Sequence, residues 1–593
     1  MRRRLTTFAA LSVMALSALA AHARAATITE FTRGLNPGAN PFDLVAGPGG
    51  TVWFTDDGST PAIGQVTPAG AITESETGLA TGSAPNYMVS GPGGNLWFTD
   101  PGTGALGRVS TAGAVTEYTA GLDPGSAPNQ LVSGPGASVW FTDPGNGEVG
   151  RITAAGTIAE YYHGLNPGSE PNSITVGPDG NLWFTDIGSP AAIGRMTPAG
   201  AITEFSTGLN TGASPVTIVP GPGKDGNLWF PDAGQTAAIG RITTAGAITE
   251  FATVTGYSIA SSPGSQPTDL VAGPDGNLWF TETGSPSSIG RITPSGQITD
   301  YTTGLNPGSA PSDLVAGPDG NMWFTDAGQT PAIGRITPTG TITEYTAGLS
   351  PGSAPNLIVS SGDGRLWFLD SGSTPALGQV ALPPVVSTGA ATAVTSTAAT
   401  VSGTVNPVGA ATTTAFHYGR TPALGSALAA GALAAGGTSK TVTATLTRLP
   451  RAKKIYYALT ATNASGTTTG STGSFTTLGA GSERTIRARI DNQRITLTLP
   501  SLRVCTASAK AMAVVLTSTA IRRPRAPKLR FKRATFSLGT HRREKTVRHT
   551  PASLALRLAG LKSRTYTLTV VLDYREHRHR AAAKRLRVEF RVC

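Results

Sequence analysis

Eight acidic residues recur at one position in this chain, three residues after a tryptophan: Asp56, Asp100, Asp143, Asp186, Asp232, Glu282, Asp326 and Asp370. A glycine follows each of them two residues later. Two chemistries fit that pattern. A carboxylate opening a turn accepts hydrogen bonds from the N–H groups of the following loop. Alternatively, carboxylates gathered at the mouth of a channel could form a ring of oxygen ligands for calcium, magnesium or a cationic ligand. No Asp-x-Asp-x-Asp-Gly loop strengthens the metal reading. His163, in Tyr161-Tyr-His-Gly164, stands alone between residues 26 and 382 and reads as an exposed loop residue. Cys505 and Cys593 are the chain's two cysteines and predict one disulfide closing the last segment. A closed loop of roughly 90 residues removes about 4–5 kcal/mol of unfolded-state entropy.

The elements that must position these groups are short strands. Trp53, Trp97, Trp140, Trp183, Trp229, Trp279, Trp323 and Trp367 each precede a phenylalanine and recur every 43–50 residues or so, the length of a four-stranded propeller blade. Within one unit, Asp313–Asn321 is an apolar strand ending in Gly-Pro-Asp-Gly, Met322–Asp326 a second strand, Ile333–Thr337 a third and Thr341–Tyr345 a fourth. Gly and Pro occupy the turns, with β-branched and aromatic residues between them. The first seven tryptophans are each followed by an Ile-Thr-Glu-like strand, but the eighth is not. Thr27-Ile-Thr-Glu-Phe31 supplies the missing strand, so the spacing predicts an eight-bladed β-propeller closed by its N-terminal strand.

Bulk properties agree with an all-β exported protein. Gly 75 and Pro 43 are high in 593 residues, and charged residues are only 14%. Residues 1–25 read as a signal peptide, with Arg2–Arg4, an apolar run from Phe8 to Ala21 and Ala23-Arg24-Ala25 as cleavage site. No later stretch approaches 18 apolar residues, so no transmembrane helix is expected in the mature chain. The expected location is secreted, extracellular or cell-surface associated.

One stretch carries a resemblance. Pro171-Asn-Ser-Ile-Thr-Val-Gly-Pro-Asp-Gly-Asn-Leu-Trp-Phe-Thr-Asp186, then Ile193-Gly-Arg-Met-Thr197 and Ile202-Thr-Glu-Phe205, resembles the virginiamycin B lyase (streptogramin lyase) family of propellers. That resemblance implies a carbon–oxygen lyase that opens a cyclic depsipeptide ester by elimination, with a histidine base after the inner-strand proline and carboxylates holding magnesium. The corresponding residues here are Phe42, Asn86, Asn129, Asn172, Val216, Thr268, Ser312 and Asn356, none of them histidine. The resemblance points to Glu170 and Asp186 as the nearest metal ligands, with Asn129 and Asn172 beside them. Glu282, from the acidic ring, completes the candidate ligand-binding set. Magnesium or calcium is the cofactor to consider.

Residues 26–382 are thus assigned to the propeller. Residues 383–480, rich in Ala, Thr, Ser, Gly and Val, resemble a fibronectin type III-like sandwich, with Phe416 and Tyr418 available where a core tryptophan is common. Residues 481–593 read as a basic, disulfide-closed β-sandwich. This tail carries a charge of about +21 while the propeller carries about −20. Arg522–Arg530 and His541–Lys545 are its densest basic runs and read as loops. The charge could bind a cell-wall or other envelope polyanion, or form a solvated face docking on an acidic propeller. Nucleic acid is not expected, because export removes that partner and aromatics are not interleaved. The chain reads as a ligand- or partner-binding module of the cell envelope, with a lyase of rearranged active site as the alternative.

Overall fold

The computed structural model describes residues 26–479, apart from 111, 252, 255, 256, 259–265 and 285, and beyond them the backbone of strands between 484 and 592. The signal-peptide assignment and the Cys505–Cys593 pairing lie outside the described residues. The structure is an all-β propeller followed by further β-sheets, and among the described residues eight sheets of four strands and one short two-stranded sheet lie between 27 and 381.

One sheet shows why the repeat folds this way. Its strands are Pro311–Ala316, Met322–Asp326, Ala332–Ile336 and Ile342–Tyr345, each antiparallel to the next. Phe324 lies opposite Gly334, and a Cβ on that glycine would sit 1.9 Å from the Phe324 ring. The glycine of Ile-Gly-Arg is therefore the space into which the phenylalanine packs. Trp323 lies opposite Arg335, with the Arg335 guanidinium 5.9 Å from its ring and the Tyr345 ring stacked on it at 5.7 Å. Trp323, Phe324 and Ile333 are fully buried. Most outer strands thus carry an aromatic residue and most third strands an arginine, although the first sheet has Ser75 and Gln65 and the last has Gln379 at these places.

Contacts between sheets run in one direction and return to their start. Each tryptophan packs into the core of the following sheet: Trp323 with Phe368, and Trp367 with Leu44 and Phe54 of the first. Side chains repeat the step. Arg291 donates to Pro338 O at 2.9 Å, and Gln379 of the last sheet donates to Pro68 O of the first at 3.2 Å. Thr27–Phe31 pairs antiparallel with Ala376–Ala381, with Ile28 opposite Val380, and Phe31 lies 5.9 Å from Trp367.

After Pro383, a three-stranded sheet (Val385–Thr388, Ala399–Asn406, Lys440–Leu446) and a five-stranded sheet built on Thr412–Gly419 and Lys454–Asn463 share a core. Phe416 is fully buried in it, but its large aromatic partner is Tyr457, whose hydroxyl donates to Gly389 O at 2.7 Å. Tyr418 is only partly buried at the margin. Asn463 Nδ2 donates to Leu382 O at 2.9 Å, tying this unit to the last residues of the propeller. Further along, two sheets of four and five strands occupy residues 484–592. His541–Lys545 is not a loop but the edge strand of the second, paired with Arg530–Leu538. An edge strand tolerates the consecutive charges that made it read as a loop. Arg503 and Val504 pair in parallel with Arg591 and Val592, the residues immediately before the two cysteines in the sequence.

Candidate functional site

The first strands of successive sheets pack side by side around the centre, and the post-proline residues lie at their start. The threonine of Trp-Phe-Thr fixes them. Thr55, Thr142, Thr185 and Thr281 donate through Oγ1 to the carbonyls of Asn86, Asn172, Val216 and Ser312 in the following sheet, at 2.7, 2.8, 3.1 and 3.2 Å. The structure brings Asn129 and Asn172 together. Asn129 Nδ2 donates to Asn172 Oδ1 at 3.0 Å, and Asn172 Nδ2 donates to Val216 O at 3.0 Å. A chain of amides therefore spans three sheets. Asn86 Oδ1 and Asn356 Oδ1 are buried without a hydrogen-bond partner.

Asp186 has a different setting. It is fully buried, and its Oδ1 accepts the N–H of Glu170 at 2.7 Å and of Gly188 at 2.8 Å. It is thus the turn cap, and only the backbone of Glu170 meets it; the Glu170 side chain is exposed. The other Asp186 oxygen faces Glu204 of the outer strand. Glu204 keeps its proton up to about 7, chiefly because it is buried and next because its carboxyl hydrogen-bonds to Asp186. Glu204 also accepts Asn166 N at 2.7 Å and Ser169 Oγ at 3.2 Å, so the two acids together clamp the loop between sheets. The same pairing recurs as Asp56–Glu74, Asp232–Glu250 and Asp326–Glu344, with the glutamate pushed up to about 8, 7 and 7 by burial first. Glu282 belongs to such a pair with Asp300 and accepts Ser288 Oγ at 2.6 Å. Among the described residues, no hydrogen bond joins Glu282 to Asn129, Asn172 or Glu170.

Sequence reasoning passed over three aspartates two residues after the inner-strand proline. Asp43, Asp269 and Asp313 each reach to the next first strand, accepting Met88 N at 2.6 Å, Leu314 N at 3.1 Å and Ile358 N at 2.6 Å. Burial lifts Asp43 to about 6. Asp313 is pushed well above the usual carboxylate range by burial and then by the charge of Asp269, to which it is hydrogen-bonded. A polar residue alternating with apolar ones at this fixed offset was the available signal.

These features sit on a propeller whose repeats can be compared with known proteins. The virginiamycin B lyase family profile matches residues 19–166, 121–260 and 165–388, overlapping stretches that together cover more than half of the chain. The chain belongs to the virginiamycin B lyase family. A solved streptogramin B lyase structure is 29% identical, covering 60% of this chain and 98% of that one, with a TM-score of 0.42. A catalytically inactive virginiamycin B lyase from Staphylococcus aureus with quinupristin is also 29% identical, covering 60% of this chain and 100% of that one, with a TM-score of 0.42. None of the curated proteins matches. The magnesium pattern that the virginiamycin B lyase resemblance implies does not fit the residues present. Asp186 has one oxygen spent on two backbone N–H groups and the other buried without a hydrogen-bond partner on the side of Glu204, while Glu170 is exposed and meets Asp186 only through its backbone. No helix among the described residues is long and apolar enough to cross a membrane.

Proposed function

We propose that the chain is an exported, ligand-binding propeller of the cell envelope and that depsipeptide elimination is not its activity. The observation that carries this reading is the chemistry of the post-proline ring. Its eight residues are aromatic, aliphatic, hydroxyl or amide, and an amide is no base near neutral pH. Asn129 and Asn172 are engaged with each other, while the amide oxygens of Asn86 and Asn356 lack protein partners. Asn86 and Asn356 are only partly buried, and a ring of amide and hydroxyl side chains without a base suits an uncharged, hydroxyl- or amide-bearing ligand, for example a sugar chain or a peptide. The signal sequence and the basic tail, both read from composition, support retention of the protein at a wall polyanion. Purified chain is expected to be retained on cell-wall polysaccharide. In 0.5 M salt, which removes the tail's contribution, Asn86→Ala with Asn356→Ala is expected to weaken retention about tenfold, the equivalent of one net hydrogen bond. A wild-type chain that is not retained even at low salt overturns the reading.

A second reading rests on Asp269 and Asp313. A carboxyl pair whose proton affinity is raised by burial and by each other's neighbourhood is a candidate for general acid–base catalysis, so these two aspartates could serve a carbon–oxygen lyase of rearranged site. Ring-opened product from a streptogramin B-type depsipeptide with magnesium, lost in Asp313→Asn, establishes that alternative.

A further inference from the structure

The third sheet departs from its neighbours at two positions, and both departures are acidic. The acid ending each Trp-Phe strand lies directly opposite the first residue of the next strand. In seven sheets that partner is small: Ala62, Ala105, Ala192, Ala238, Ser288, Ala332 or Ala376. In the third it is Glu148, facing Asp143. Like charges directly opposite on a sheet repel. The second departure is in the loop whose N–H binds the outer-strand glutamate. Asn36, Asn166, Asn210 and Asn306 hold this place in four sheets, Ala80 and Ser350 in two more, and Asp123 holds it here, its N–H 2.7 Å from Glu160 Oε2.

Carboxylate oxygens of Asp123, Glu148 and Glu160 lie within 4.8 Å of one another. Asp143 stands behind them, and after burial its charge helps to raise the pKa of Glu160. Glu148 is 6% exposed, and its Oε2 has no hydrogen-bond partner; nor has Oδ2 of the fully buried Asp143. No cation of the protein answers them, since Arg365–Asp363 is the one ion pair among the described residues. A buried carboxylate without a partner beside three others is costly unless a proton or a cation joins it, and burial already raises the pKa of Glu148. Two oxygens each bound at about 2.4 Å to one calcium ion stand no more than about 4.8 Å apart, and the three oxygens here lie within that limit. Asp123 is exposed, which leaves one side open for water to complete a shell of six to eight oxygens.

We infer that Asp123, Glu148 and Glu160, backed by Asp143, form a calcium site at the outer edge of the third sheet, apart from the central ring. The test uses the full chain stripped with chelator and dialysed against calcium chloride at neutral pH. Wild type is expected to hold one calcium ion more than Glu148→Ala, a substitution that restores the residue of six other sheets. Asp123→Asn is expected to bind that ion at least tenfold more weakly. Melting supplies an independent reading. In chelator, Glu148→Ala removes an uncompensated repulsion and is expected to melt higher than wild type; in calcium the order reverses, because only wild type is stabilised by the ion. Equal calcium content in wild type and Glu148→Ala, or an order of melting that calcium does not change, overturns the inference.

Discussion

Carboxyl pairs set a pH dependence that can be worked out residue by residue. Glu204, Glu250 and Glu344 hold their protons to about 7 in the fold, against an ordinary value of 4.5. The folded state therefore binds more protons than the unfolded chain between these limits. The stability these residues contribute is complete below about 4.5 and is lost as pH rises through 7. The propeller is expected to melt at a lower temperature at pH 8.5 than at pH 5.5, and Glu204→Gln with Glu250→Gln and Glu344→Gln to flatten that slope. A slope unchanged by the three substitutions counts against the pairing. Gly334→Ala makes a second expectation at this scale. Its methyl would enter the Phe324 ring, and overpacking of this kind costs about 1–3 kcal/mol, read as a lowered denaturation midpoint. The acid after Trp-Phe was legible in the sequence as a turn cap because a glycine two residues on demands one. Its partnership with the glutamate of Ile-Thr-Glu was not, since the two are 18 residues apart in the case of Asp186 and Glu204, and only strand register brings them together.

At the scale of strands, the repeat was readable where a side-chain type has one structural use. Tryptophan marks the second strand because it packs against arginine and an outer aromatic, and glycine marks the third because phenylalanine needs the room. Local charge was a poorer guide: His541–Lys545 reads as a loop by composition, yet its backbone is hydrogen-bonded along an edge. In the sandwich core, Tyr457 rather than Tyr418 accompanies Phe416, a choice made by which face of the sheet each strand position presents. The pairing of Thr27–Phe31 with Ala376–Ala381 makes an expectation of its own. Removing residues 26–31 uncovers a row of unpaired backbone groups on the last sheet. The shortened protein is expected to self-associate in size-exclusion chromatography and to melt earlier. A monomer with unchanged melting would show that this strand is dispensable.

Over the whole molecule, sequence and structure meet unevenly. Family membership rests on a grammar repeated across the first two-thirds of the chain, so many weak signals add up. The centre of the ring has no such redundancy. The post-proline residue varies from sheet to sheet, with asparagine in four of the eight, and Asp269 and Asp313 matter because two neighbouring sheets place them together. The pairing of the earliest strand with the last sheet also has a consequence in time. A ribosome delivers the chain amino end first, and Thr27–Phe31 emerges about 350 residues before its partner. At about 5–20 residues per second that is a wait of roughly 20–70 seconds, during which seven sheets can assemble and the first strand has nothing to pair with. Throughout that interval Thr27–Phe31 lacks the strand that it pairs with in the fold. Whatever holds that end, or keeps proteases from it, acts before the ring exists.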